Sequence, residues 1–307
     1  MGKLLVTGGT GLVGTAIDAD VKLSTADGDL RNWQQTLELF EHHRPEKVIH
    51  CAGKVGGLVG NMNHKGEFFY DNVTINTNVL EAARRVGVKK LVSFLSTCIF
   101  PDNVEYPITE KQIHNGEPHH SNYPYAYAKR MLEVQSRAYN EQYGTNYVCV
   151  VPTNIYGPND NFDTKNGHVI PSLIYKCYMA KKNNLDFYVW GTGAPLREFI
   201  YSEDVARLSE WAVDNYTDNE PIIFSPSNAI SIKEVVNTIA KEFDFKGRII
   251  WETDKPEGQY RKPTDNSKIR TCNPDFVFTE FGKGIRFTIE WFIENIEQGI
   301  RGVERDF

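Results

Sequence analysis

The chain has no run of apolar residues approaching the ~18–20 that a membrane span requires, and no repeat or low-complexity tract. Cysteine is scarce. The five present, at 51, 98, 149, 177 and 272, are odd in number and scattered, with no Cys-x-x-Cys pair. That excludes a disulfide framework, leaves no metal-ligand spacing, and fits a reducing compartment, so a cytoplasmic location is expected. Positive charge is short too. Against 40 Asp and Glu there are 34 Lys and Arg, and the net charge of −6 argues against nucleic acid as the main partner. Met1-Gly2-Lys3-Leu4 runs straight into a strand-like segment rather than a signal peptide. What the chain does have is core material: 40% of its 307 residues are hydrophobic and 24% charged, which rules out wholesale disorder. At ~150 residues per domain the length suggests two domains.

The first half alternates β-rich runs with helical segments. Strands are expected at Lys3–Thr7, Val21–Leu23, Lys47–Cys51, Lys90–Leu95 and Tyr147–Val151, and helices at Asn32–His43, Phe68–Val86 and Tyr125–Tyr143. Near-continuous apolar strands separated by amphipathic helices predict a Rossmann-type doubly wound parallel sheet covered on both faces. The first crossover is short, since Leu12 to Ala19 leaves about two helical turns. After Pro152, Gly, Pro and Asn punctuate the chain and the elements shorten. Helices are expected at His168–Lys181, Glu203–Asn215, Ile232–Phe243 and Lys283–Gln298, with strands at Phe187–Val189, Ile222–Phe224 and Ile249–Trp251. The expected division is a dinucleotide-binding domain over 1–152 and a smaller mixed α/β substrate domain over 153–307, with segments near 196–226 returning to the first.

Gly8-Gly9-Thr10-Gly11-Leu12-Val13-Gly14 follows the first strand, with glycines 8, 11 and 14 spaced G-x-x-G-x-x-G. Small residues there let the backbone turn sharply and approach a pyrophosphate. This spacing is similar to that of the short-chain dehydrogenase/reductase superfamily. The resemblance implies that Gly8, Gly11, Leu12, Val13 and Gly14 hold the cofactor phosphates, that Asp29 lies beside the adenine, and that Cys51-Ala52-Gly53 lines the cofactor. A 2′-phosphate would look for a cation near the end of the second strand, where Lys22 is expected to be the only one; Asp27 would instead hold a free 2′-hydroxyl.

Tyr125 and Lys129 are four residues apart and share a helix face. An ammonium beside a phenol is expected to pull the tyrosine pKa down from ~10, making it a usable acid for a carbonyl under reduction. Ser96, at the end of the fourth strand, would hydrogen-bond the same carbonyl. Tyr127 lacks the spacing to Lys129.

Further stretches narrow the resemblance. Lys54-Val55-Gly56-Gly57, Ser96-Thr97-Cys98-Ile99-Phe100-Pro101, Pro152 to Phe162, His168-Val169-Ile170-Pro171 and Val189-Trp190-Gly191-Thr192-Gly193 all resemble the GDP-L-fucose synthase family of extended short-chain dehydrogenase/reductases, from about Lys3 to Phe292. That resemblance implies NADPH as cofactor and a GDP-sugar as substrate. It implies two chemistries in one site: epimerisation at C3 and C5 beside a C4 ketone, then reduction at C4. Cys98 and His168 become the epimerisation pair, and Ser96, Tyr125 and Lys129 serve the carbonyl. The residue types favour Cys98 as base and His168 as acid. Pro152, Asn154 and His168 join Tyr125 and Lys129 in the implied cofactor contacts. Asn154, Lys176, Trp190, Arg197, Lys255 and Arg261 are the implied substrate contacts, with Lys255 to Lys262 flanking the nucleotide. A homodimer is implied, through the helices over 68–86 and 125–143.

Two other readings compete with this one. A nucleotide-sugar 4-epimerase or dehydratase would retain its NAD and return the hydride. A dehydratase would want an acidic pair beside the serine, where this chain has Thr97-Cys98, and a plain 4-epimerase has no use for a Cys98/His168 pair. A non-catalytic dinucleotide-sensing protein would have no need of Ser96, Cys98, Tyr125, Lys129 and His168 together.

Overall fold

The computed structural model describes residues 2–165, 167–255 and 260–303. In chain order the first half comprises β1 (Leu4–Thr7), β2 (Val21–Leu23), α1 (Trp33–His43), β3 (Lys47–His50), α2 (Leu58–Asn63), α3 (Lys65–Val86), β4 (Lys90–Phe94), α4 (Tyr123–Tyr143) and β5 (Tyr147–Pro152). The second half adds β6 (Asn154–Tyr156), α5 (Val169–Lys182), β7 (Phe187–Trp190), β8 (Leu196–Tyr201), α6 (Ser202–Asn215), β9 (Ile222–Phe224) and β10 (Ala229–Ser231). It closes with α7 (Ile232–Glu242), β11 (Ile249–Glu252), α8 (Ser267–Cys272) and α9 (Phe281–Asn295).

Six strands form one parallel sheet in the order β2-β1-β3-β4-β5-β9. Its strands are apolar at successive positions because each pleat sends alternate side chains to opposite covered faces. Leu5, Val48, Leu91, Cys149 and Val151 point into a core with Phe40, Val79, Leu80 and Leu132 from α1, α3 and α4. Val6, Ile49, Val92, Val148 and Val150 point the other way, onto Val205, Leu208 and Ala212 of α6. A third core joins α5, α7 and α9 around Tyr156, Phe187 and Phe292. A three-stranded sheet, β10-β8-β6, and a parallel pair, β11-β7, belong to this second half.

The strand order reverses between β1 and β3, and the crevice at the carboxyl ends of strands beside such a reversal is where an open α/β sheet receives a ligand. Thr7, His50, Phe94 and Pro152 end their strands on that same edge, so the loops that follow each of them share it.

One expected element is absent. The stretch after β1 is a succession of turns through Thr15 and Ala16 rather than a helix. Its bonds mix spacings, from the Gly11 amide to the Gly8 carbonyl, Thr15 to Gly11 and Ala16 to Val13. A helix this short gives too few bonds to offset its nucleation, and the turns still bury Val13 and Ile17 against the sheet. The elements that the sequence reading does not contain are α2, β6, β8, β10 and α8.

α3 and α4 lie side by side over the sheet, and Leu80 of α3 is completely buried among the strands. Leu80→Ala is expected to lower the unfolding free energy by about 2–5 kcal/mol, measured by urea denaturation followed by circular dichroism. A loss near zero would show that α3 is not seated as described.

Candidate active site

The glycine turn is held against the next two strands. Gly8 has φ +73°, and a Cβ on it would lie 2.8 Å from the Ala52 amide nitrogen. A Cβ on Gly14 would lie 2.2 Å from the Gly8 carbonyl oxygen, so any side chain there would break the turn. The Gly9 amide donates to Leu23, and Lys22 donates its ammonium to the Thr15 carbonyl at 2.9 Å. Lys22 thus braces the turn. Between β2 and α1, Arg31 forks onto Asp29 at 2.8–3.1 Å and reaches Asp71 at 3.3 Å. Asp27 accepts the Ser24 amide and hydroxyl, which hold its carboxyl below the usual range.

The centre of the edge is Lys129. It is 3% exposed, and its ammonium donates to the Phe94 carbonyl at 2.8 Å. Burial pushes its pKa down to about 8, while Cys98, Cys51 and Cys149 act in the opposite direction. Tyr125 sits one helical turn earlier, with its ring centroid 5.9 Å from the ammonium and packed edge-on to Phe68 at 6.4 Å. Tyr127 faces Arg130 instead, at 5.4 Å. The expected fall in the Tyr125 pKa is not what the geometry gives. Burial pushes the phenol up, and Cys98 adds to the rise. The ammonium is engaged by a main-chain carbonyl and leaves the phenol protonated, the form in which it donates.

Ser96 follows β4 and caps a 3₁₀ turn over Thr97–Ile99, its hydroxyl accepting the Cys98 amide at 3.5 Å. Arg130 fixes the end of that turn by donating to the Ile99 carbonyl at 2.7 Å. Cys98 is half-buried. Burial raises its thiol, and the Ser96 hydroxyl, Lys262 and Lys129 pull it back down.

Two polar layers beneath this cluster escape a reading of the sequence. The Ala52 amide donates to the Thr7 hydroxyl at 3.3 Å; Thr7 and His50 Nδ1 lie 2.7 Å apart, and His50 Nε2 is 3.0 Å from the Asn76 carboxamide oxygen. Burial, reinforced by Lys129, holds His50 down near 3, so it is neutral and carries its proton on Nε2 towards Asn76. Asn72 accepts the Lys54 amide and donates to the Lys54 and Phe68 carbonyls, tying the Cys51–Gly57 loop to α3. A Cβ on Gly53 would meet Asn72 Oδ1 at 2.9 Å and Lys129 Nζ at 3.7 Å. The available signal was a pair of asparagines four apart on a helix face that also carries Phe68, Val79 and Leu80.

His168 caps α5 and is half exposed. Its Nδ1 is 3.7 Å from Oδ1 of Asp160, a carboxylate only 4% exposed whose other oxygen has no hydrogen-bond partner among the described residues. Asp160 raises the imidazole pKa against burial and the charge of Arg301. No direct contact joins His168 to Cys98 or Tyr125 among the described residues.

Of the remaining candidates, Asn154 donates to the Glu198 carbonyl at 2.8 Å. Pro152 ends β5, buried. Lys176 stands over the Trp190 ring at 5.1 Å, with burial lowering its pKa. Arg197 is half-buried and its pKa is likewise lowered by burial. Lys255 lies 3.8 Å from Asp254, and Pro256–Gly258 fall outside the described residues. Arg261 lies over Tyr106 at 5.6 Å, and its neighbour Lys262 is the one that shares the field of Cys98, Asp102, Arg197 and Arg130.

A parallel sheet with this reversal, a glycine turn after β1 and a Ser–Tyr–Lys cluster define a nicotinamide-dependent class of oxidoreductases and epimerases. The sequence pattern of the NAD dependent epimerase/dehydratase family matches residues 4–225, and the chain belongs to that family. Within it, the chain is similar to a GDP-L-fucose synthase of Dictyostelium discoideum, 48% identical over 96% of each chain. It is 34% identical to the GDP-L-fucose synthase of Escherichia coli K12, over 95% of this chain and 97% of that one. A GDP-L-fucose synthetase from Naegleria fowleri, solved with NADP bound, superposes with a TM-score of 0.92 at 46% identity, covering 98% of this chain and 94% of that one.

The Asp160–His168 pair has a testable signature. A raised imidazole pKa stabilises the fold at pH below the ordinary value of ~6.5, and that contribution is lost as pH rises through the raised value. In an NMR titration the His168 midpoint is expected above the ordinary value, and lower in Asp160→Asn. An unchanged midpoint would show that Asp160 does not act on the ring.

Proposed function

We propose that the chain converts GDP-4-keto-6-deoxy-D-mannose to GDP-L-fucose, by epimerisation at C3 and C5 followed by NADPH-dependent reduction at C4. The observation that carries this reading is Cys98, set one 3₁₀ turn beyond Ser96 and in the field of Lys129 and Lys262. A thiol there stands beside the groups that polarise a carbonyl, where a proton α to that carbonyl is removed. The similarity to GDP-L-fucose synthases over nearly the whole chain supports the same substrate.

The residues fit NADPH. The cradle of Gly8 and Gly14 is one that a Cβ would fill, and the small-residue stretch Cys51–Gly53 runs beside Lys129. Gly8, Gly11, Leu12, Val13 and Gly14 would hold the pyrophosphate, Asp29 with Arg31 the adenosine end, and Tyr125, Lys129, Pro152 and Asn154 the nicotinamide end. When bound, the cofactor supplies the hydride for C4.

The chain's own groups do the rest. The C4 ketone acidifies the protons at C3 and C5. Cys98 removes each proton, and enolate charge grows on the C4 oxygen, where the Ser96 and Tyr125 hydroxyls stabilise it. His168, whose charged form Asp160 favours, returns a proton from the other face and so inverts the centre; before the second centre reacts the thiol gives up its proton to solvent and the imidazole takes one back. In the last step Tyr125 donates its proton to the C4 oxygen, and Lys129 holds the positive charge beside the phenolate that remains. Lys176, Trp190, Arg197 and the Lys255 to Lys262 segment meet the nucleotide, whose roughly two negative charges need local cations on an acidic protein.

The outer face of α3 and α4 exposes Phe69, Tyr70, Tyr123, Met131, Val134 and Tyr143. A cavity of about 300 Å³ there is lined by Lys65, Phe69, Tyr123 and Tyr127. Such a face is apolar enough to be an interface, and a homodimer through these helices covers it. A cytoplasmic location fits five free cysteines, and no helix among the described residues is long and apolar enough to cross a membrane.

The test is turnover of GDP-4-keto-6-deoxy-D-mannose with NADPH and NADH in parallel, with the product identified by NMR. GDP-L-fucose with cofactor oxidation is expected, and Cys98→Ser is expected to give a C4-reduced sugar unchanged at C3 and C5. No cofactor oxidation by the wild type would instead favour an epimerase that retains NAD. In sedimentation, the wild type is expected as a dimer and Tyr70→Glu with Met131→Glu as a monomer; a monomeric wild type would remove the dimer.

A further inference from the structure

Glu198 lies on β8 next to Arg197 and is 4% exposed. A buried carboxylate ordinarily pairs with a cation, because leaving water costs several kcal/mol. Among the described residues no cation contributes to the environment of this one. Its oxygens accept the Thr264 amide at 3.2 Å, the Thr264 hydroxyl at 2.5 Å and the Ser225 hydroxyl at 3.1 Å. Thr264 and Ser225 are themselves buried. Its main-chain carbonyl accepts the Asn154 carboxamide at 2.8 Å. One residue thereby touches the end of the large sheet, the small sheet and the segment that crosses between the two halves.

That crossing segment is tied on both sides of Lys262. The Tyr260 carbonyl accepts the Leu196 amide at 2.8 Å, and the Arg261 carbonyl accepts the Tyr106 hydroxyl at 3.1 Å. Beyond Lys262, the Pro263 carbonyl accepts the Ile108 amide at 2.9 Å, and the Asp265 amide donates to the Ile108 carbonyl at 2.7 Å. Lys262 itself is half-buried; burial works most strongly against its charge, Cys98 and Asp102 favour it, and Arg197 and Arg130 oppose it. Like charges push such a side chain towards water, so a mechanical hold on its backbone is what keeps it in place.

We propose that Glu198 is a positioning residue of the site. By clamping Thr264 it fixes the crossing segment so that Lys262 stays within the field of Cys98 and Arg197. The proposal rests on the reading above, in which these groups face the keto-sugar nucleotide. It separates two functions of the chain: the glycine turn holds the dinucleotide without Glu198, while GDP-sugar affinity and the thiol's reactivity depend on it.

The experiment is a double-mutant cycle of Glu198→Gln and Lys262→Met, with folding checked by circular dichroism. Three quantities are read: KM for the GDP-keto-sugar, NADPH affinity by fluorescence, and the rate of Cys98 alkylation by iodoacetamide, followed by peptide mass spectrometry. Glu198→Gln is expected to raise KM about tenfold or more, the scale of one charged hydrogen bond, and to slow Cys98 alkylation severalfold, with NADPH affinity unchanged. Because Glu198 acts through Lys262, the double variant is expected to be no worse than Lys262→Met alone. Effects that multiply in the double variant, an equal fall in NADPH affinity, or unchanged alkylation would each overturn the proposal. Should Glu198→Gln not fold, Thr264→Val takes its place in the cycle under the same criteria. A wild type that does not turn over the keto-sugar would defeat the functional reading, while the alkylation arm would still decide the clamp.

Discussion

The structure depends on a lysine ammonium held out of water. Lys129 is buried at the end of β4, where it donates to the Phe94 carbonyl. The surroundings are built to suit it. Gly53 leaves room above it, Asn72 ties down the loop that carries Gly53, and His50 beneath it stays neutral. A protonated His50 would place a second positive charge against the first, which is why burial and Lys129 together hold that imidazole uncharged. The same ammonium orders Tyr125 one turn earlier and acts on the Cys98 thiol across the loop. Burial sets the state of the phenol, the imidazole and the thiol around it, and this one cation adds to that effect on His50 and opposes it on Cys98.

The two halves of the molecule contribute different kinds of residue. The large sheet and its helices carry the glycine turn, Ser96, Cys98, Tyr125 and Lys129, the groups proposed to serve the dinucleotide and the carbonyl. The second half supplies His168 from the start of α5, Lys176 and Trp190 from neighbouring elements, and Arg197 from β8. The segment from Tyr260 to Asp265 joins them, bonded to β8 on one side and to the Tyr106–Ile108 loop on the other.

Much of this was legible in the sequence because it is local. Alternation and amphipathic periodicity placed the strands of the large sheet and its long helices to within a few residues. Tyr125 and Lys129 were found because a helix converts a spacing of four into a shared face. What escaped depends on partners far along the chain. The strand Leu196–Tyr201 is hard to see in the sequence because Arg197 and Glu198 interrupt its apolar pattern, yet Glu198 is buried on Thr264 and Ser225. Asp160, Asn72 and Glu198 look like ordinary polar residues until folding buries them. The tyrosine pKa was misjudged for a related reason: spacing reveals a neighbouring charge but not the burial that opposes it, nor the carbonyl that already holds the ammonium.

In the proposed reaction a thiol and an imidazole exchange carbon-bound protons while a phenol serves the carbonyl, a task that no single residue carries. The direct measurement is turnover of the keto-sugar nucleotide by the wild type in deuterium oxide, with the product examined by NMR at each ring carbon. Deuterium at both C3 and C5 of a fucose-configured product is predicted. A reduced product without solvent deuterium at either carbon would contradict it, leaving a reductase on this scaffold and no task for Cys98 and His168.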